Sequence, residues 1–147
     1  MEKTNCTAMI TSEKDNSFYS EKRLKKYQLE LSHWKDLLIY NLDEISFLKL
    51  FLNAEIFIPN IPNLFENLKE YLDSVEDIKS QNSRFYNLIE KNLKILKDTI
   101  ENGKVPEENF ITEFEILRND IGKYFEKFSD LKLEIFHYTG SLLKQND

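Results

Sequence analysis

The sequence predicts an all-α protein: an antiparallel up-down-up bundle of three long helices. Two observations lead there. Apolar residues recur at alternating steps of three and four over three long stretches, the spacing of a heptad seam. The 147 residues also include only three glycines and three prolines, too little turn chemistry for a many-stranded β fold. A chain of this length holds one hydrophobic core and is short for two. Residues 1–18, rich in Thr, Ser, Asn and Asp without a sustained apolar period, are expected to form a flexible polar tail, and residues 19–147 a single helical-bundle domain.

The first seam runs through Leu24, Tyr27, Leu31, Trp34, Leu38, Asn41, Ile45, Leu48 and Leu52. It is ended by the segment from Phe57 to Asn63, where Pro59 disfavours an α conformation at Ile58 and cannot donate to the helical ladder. Asn60 or Asn63 is suited to cap the next helix. That helix is expected from about Pro62 to Glu101, with Leu64, Leu68, Tyr71, Leu72, Val75, Ile78, Asn82, Phe85, Ile89, Leu93, Leu96 and Ile100 on one side. Asn102-Gly103 supplies a left-handed terminus. Pro106, followed by Glu107 and Glu108, suits the first turn of the third helix, where negative charge meets the positive end of the helix dipole.

The third seam is the most regular: Phe110, Phe114, Leu117, Ile121, Tyr124, Phe128, Leu131, Ile135, Tyr138 and Leu142. Gly122 and Gly140 interrupt it at a cost of up to ~1 kcal/mol each, which suggests close helix contact or a frayed end. Helices of about 35 to 40 residues at ~1.5 Å per residue make a rod of roughly 55 Å. The run Ser80-Gln81-Asn82-Ser83, poor in helix formers, offers an alternative in which the second helix breaks and a four-helix bundle results.

Equal rises from the shared lower end bring Asn41, Asn82 and Tyr124 to one level, all on seam positions. A buried amide needs a partner, so the three are expected to form a buried polar layer that fixes helix register, or else the floor of a ligand site. Above that level the first and third helices carry more apolar residues than a three-helix core can cover. Phe47, Leu50, Phe51, Ile58, Leu133, Phe136 and Leu143 are therefore assigned to an interface, with a symmetric homodimer its simplest form. Folding back of the amino-terminal tail through Phe18 and Tyr19 is the other way to cover them.

Both histidines fall in a Glu-x-x-His pattern, Glu30 with His33 and Glu134 with His137. Residues three apart share a helix face. The pattern resembles the Glu-x-x-His pairs of ferritin-like di-iron carboxylate bundles, and the resemblance implies a metal site made of these four residues. The up-down-up topology keeps the two histidines roughly 25 to 30 Å apart in one chain, so such a site would need two chains.

Other chemistry is thin. No Gly-rich phosphate loop, catalytic triad or His-x-x-x-His pair is present, and Cys6 is the only cysteine. The net charge of −6 argues against a nucleic-acid phosphate track, and the cluster of Lys22, Arg23, Lys25 and Lys26, balanced by Glu21 and Glu30, reads as a solvated face or else a weak anionic contact. The most apolar stretch, Ile45 to Ile61, is too interrupted to span a bilayer. No signal peptide is evident and a single cysteine suits a reducing interior, so a cytoplasmic location is expected, and the Lys-, Asn- and Ile-rich composition suggests a bacterial origin. The expected function is a non-enzymatic protein-interaction or oligomerisation module, binding itself or another protein through the first and third helices. It needs no cofactor, nucleic acid or membrane. The alternatives are the metal-binding bundle assembled across a dimer and a carrier of a small apolar ligand.

Overall fold

A computed structural model describes residues 21–103 and 105–145. The polar tail expected for residues 1–18, and Cys6 within it, lie outside the described residues. Three helices follow one another, α1 (Glu21–Asn53), α2 (Leu64–Asn102) and α3 (Phe110–Gly140), and form a three-helix bundle. In α1 the buried residues are the nine of the first seam, Leu24 through Leu52.

Helix α2 runs unbroken through Ser80–Ser83, so the four-helix alternative does not hold. The reason lies inside that run: Asn82 is buried and its amide donates to the Leu38 carbonyl of α1 at 2.9 Å and to the Tyr124 hydroxyl of α3 at 2.9 Å. Tertiary hydrogen bonds outweigh the small propensity loss of a few polar residues. The lower half of α2 departs from the expected row. Thr99 is buried where Ile100 was expected, and Leu93 is only half-buried. The hydroxyl of Thr99 donates to the Ile95 carbonyl at 2.8 Å and the Asn92 amide to that of Leu88 at 2.8 Å. Side chains that bond back to their own helix can sit at the core without an orphaned donor.

The connections are longer than expected, because α2 and α3 both start later than the sequence suggested. Asn60 and Asn63 both hold left-handed backbones, at φ 68° and 59°. Asn63 occupies the cap position of α2 but makes no side-chain cap; only its carbonyl takes part, accepting from the Asn67 amide at 3.0 Å. A capping side chain is aimed by an extended backbone, which Asn63 lacks. Gly103, at φ 67°, ends α2 as anticipated. Pro106 is buried in the connecting segment, not in the first turn of α3, which begins four residues later after a turn from the Glu107 carbonyl to the Phe110 amide.

Cross-helix pairs give the register directly. Arg118 with Glu30 and Lys132 with Glu44 join α3 to α1 at the same separation of 88 residues, so these helices run parallel without slipping. Between α1 and α2, a step of fourteen up one helix, Lys35 to Lys49, matches fourteen down the other, Glu90 to Glu76, which is the antiparallel relation. Helix α1 packs mainly against α2. Their facing seams are aliphatic, with Leu31, Leu38, Ile45 and Leu48 against Val75, Ile78 and Ile89 all buried. Helix α3 faces them with rings: Phe114 lies 4.5 Å from Tyr27 and 5.6 Å from Trp34 between centroids, and Tyr124 5.5 Å from Phe85. Larger side chains hold a helix axis farther off, which leaves grooves along α3.

At the upper end a short backbone clip joins the α1–α2 connection to the segment after α3. Ile58 donates to Leu142 and Lys144 to Ile56, both at 2.7 Å, around an antiparallel bridge of Phe57 with Leu143. Leu142, expected to close the third seam, thus lies past the helix end at Gly140.

The ion pairs flanking α1 have a fixed sense. It offers Glu30 and Glu44 to bases on α3 and Lys35 and Lys49 to acids on α2. Exchanging α2 and α3 around α1 would oppose like charges, so these pairs specify the handedness of the bundle although each adds little stability. Hydrogen bonding to Glu90 raises the pKa of Lys35, that to Glu30 raises Arg118, and Lys49 lowers Glu76, each favouring the charged form. A double-mutant cycle of Glu30→Gln and Arg118→Met should show a coupling of about 0.5–1 kcal/mol by denaturant titration. No coupling would mean that this bidentate pair does not hold α3 against α1.

Candidate functional site

Two features stand out along the bundle, a buried polar contact at mid-height and an exposed apolar face above it. In the first, Asn82 bridges α1 and α3 through the Leu38 carbonyl and the Tyr124 hydroxyl. Asn41, although buried near that level, turns aside. Its amide donates to Glu44 Oε1 at 2.9 Å, three residues on in its own helix, and its Oδ1 accepts no bond among the described residues. The other oxygen of Glu44 is held by Lys132 of α3 at 2.6 Å. Burial pushes the Tyr124 phenol up to about 12, with the charge of Glu44 adding to the rise and the bond from Asn82 opposing it.

The second feature is a surface groove of about 480 Å³ between α1 and α3. Tyr40, Phe47 and the exposed carboxylate of Asp43 line one side, Ser129, Leu133 and Phe136 the other, and the Glu44–Lys132 pair crosses it. Tyr40 is 61% exposed, Phe47 57%, Leu133 54% and Phe136 44%, and Leu50, one turn from Phe47, is 74% exposed. The remaining residues assigned to an interface sit differently. Phe51 is half-buried and touches Phe47, Phe57 and Phe136 at centroid distances of 5.9, 5.6 and 6.4 Å. Leu143 is half-buried in the clip, and Ile58 lies on the connection before α2. Sequence reasoning did not assign Ser129 to this surface; it counted Tyr40 among the extra apolar residues of the first helix but left it out of the interface. Tyr40 lies one heptad before Phe47, and that spacing was the available signal.

The four residues of the Glu-x-x-His pairs occupy separate places. Both oxygens of Glu30 accept from the Arg118 guanidinium at 2.7 Å. His33 and His137 are exposed, and Glu134 is an exposed carboxylate whose charge, after burial, helps raise the pKa of Tyr71. The 88-residue offset puts His33 level with Ile121, sixteen residues or about 24 Å from His137 along the axis. Among the described residues no three His, Cys, Asp or Glu side chains stand close enough together to hold a metal ion.

The fold and this surface define a three-helix bundle with an aromatic face. No protein-family model, curated protein or solved structure matches the chain. No helix among the described residues is long and apolar enough to cross a membrane.

The Tyr124 contact has a measurable signature. A phenol whose pKa is raised by folding contributes stability that is complete below the ordinary tyrosine value near 10 and is lost as pH climbs through about 12. Tyr124→Phe should remove the latest-ionising tyrosine from an absorbance titration and lower stability at pH 7 by about 1 kcal/mol. An unchanged late phase would place the protected phenol elsewhere.

Proposed function

We propose that this protein is a non-enzymatic interaction module whose α1–α3 face receives an apolar-faced helix of a protein partner. The observation that carries this reading is the exposed row of Tyr40, Phe47, Leu133 and Phe136 around one groove, with exposed Leu50 one turn from Phe47. Soluble monomers seldom leave a contiguous apolar patch beyond a few hundred Å² open to water. A groove between two parallel helices is shaped for a third helix, whose residues three and four apart would enter between the aromatic rims.

The polar content of the groove supports binding over chemistry. Glu44 and Lys132 neutralise each other and Asn41 occupies the second oxygen of Glu44, so these groups orient the walls and are not poised for proton transfer. The groove is a surface depression between helices, suited to side chains of a partner.

Radical footprinting of the protein inside expressing cells tests the proposal. Phe47, Leu133 and Phe136 should be oxidised several-fold more slowly there than in dilute purified protein, with the exposed Phe65 of α2 and Leu29 of α1 as references. Equal rates in both settings would mean that no partner of any kind covers the face.

A further inference from the structure

We infer that the occupant of the α1–α3 face is a second copy of this chain, bound about a two-fold axis that passes through the level of the Glu44–Lys132 pair. This rests on the interaction reading above and names its partner. Three observations carry it.

The first is area. Aromatic side chains offer about 150–250 Å² each, so the exposed parts of Tyr40, Phe47, Leu50, Leu133 and Phe136 together present on the order of 500 Å². A stable interface takes about 800 Å² from each partner, core and polar rim together. The face is thus large enough to be the core of a dimer interface.

The second is self-complementarity, which an isologous contact requires because one patch must fit itself. Tyr40 and Phe47 stand seven residues apart on α1, and Ser129 and Phe136 seven apart on α3, with the Glu44–Lys132 pair between them at mid-level. A two-fold axis lying in the face, whether along or across the helices, sets an aromatic ring of one copy over Ser129 of the other. The patch carries both knobs and the space to receive them. At its centre the charges of Glu44 and Lys132 are already paired within each copy, and the exposed carboxylate of Asp43 beside them is the charge that the rim of the dimer has to keep in water.

The third is Gly122, one heptad below Ser129 on the same stripe of α3. A Cβ at this position would meet nothing within 4 Å in the single chain. Packing inside the bundle does not call for a glycine there, although it costs up to ~1 kcal/mol against alanine in a helix. Close approach of a helix from outside gives it a purpose.

Sedimentation equilibrium of the full chain from low to high micromolar concentration tests the assignment. A reversible dimer is expected, weakened at least ~10-fold by Phe47→Glu and by Leu133→Glu. Both positions are more than half exposed, so the variants should keep their helical circular dichroism and melting cooperativity. Phe65→Glu on α2 should leave the dimer unchanged. A wild-type monomer throughout the range overturns the proposal, as does a dimer that Phe47→Glu and Leu133→Glu leave intact while Phe65→Glu dissolves it. A purified monomer whose face is still protected in cells would remove the second copy and keep the interaction reading. A monomer with an unprotected face would remove both.

Discussion

The close aliphatic contact between α1 and α2 is the constraint on which the remaining structure is arranged. Leucine, isoleucine and valine make up most of the buried seams of both helices, and these two helices pack mainly against each other. Helix α3 then has to pack against two helices already in contact, and it does so with phenylalanine and tyrosine. The rings bury large areas but stand the third axis away, so the lines where α3 meets its neighbours remain open as grooves. The exposed aromatic face therefore follows from the core's own composition as well as from the outer residues that line it.

Specificity in this bundle is divided between weak and strong terms. Burial of the seams supplies the stability, and a heptad seam by itself tolerates sliding and exchange of helices. The flanking charges distinguish the neighbours of α1 by sign, and the Asn82 amide, bonded to two different helices, holds one relative height among the three. Neither device stabilises much; both penalise the wrong arrangements.

How much of this was legible in the sequence varies with how local the cause is. The α1 seam could be read residue for residue because every core position there is apolar except Asn41, and period alone identifies it. The lower part of α2 could not, because Thr99 takes an inner position by bonding to the carbonyl one turn back, and a search for apolar residues passes over it to Ile100. The meeting of Asn82 with Tyr124 followed from counting equal rises. The diversion of Asn41 did not, since its cause is a carboxylate three residues on. The excess of apolar residues on α1 and α3 was visible, whereas the half-burial of Phe51 against Phe57 needed the connection to α2 to be in place. Helix starts were displaced for a similar reason. Asn63 holds a left-handed backbone and Pro106 is buried in the connecting segment, neither of which a helical period reveals.

The clip at the upper end bears on the order in which the protein can assemble as it is made. Almost every other contact between α1 and α2 is available once residue 102 has left the ribosome, so that hairpin can form while α3 is still being synthesised. Phe57, however, is buried with Leu143 beside it, and Ile56 and Ile58 gain their main-chain partners only when residues 142–144 arrive. Until then one end of the nascent hairpin keeps the Ile58 amide and the Ile56 carbonyl unpaired, and Phe57 has Phe51 but not Leu143 beside it. The segment that follows α3 is the one that seals it.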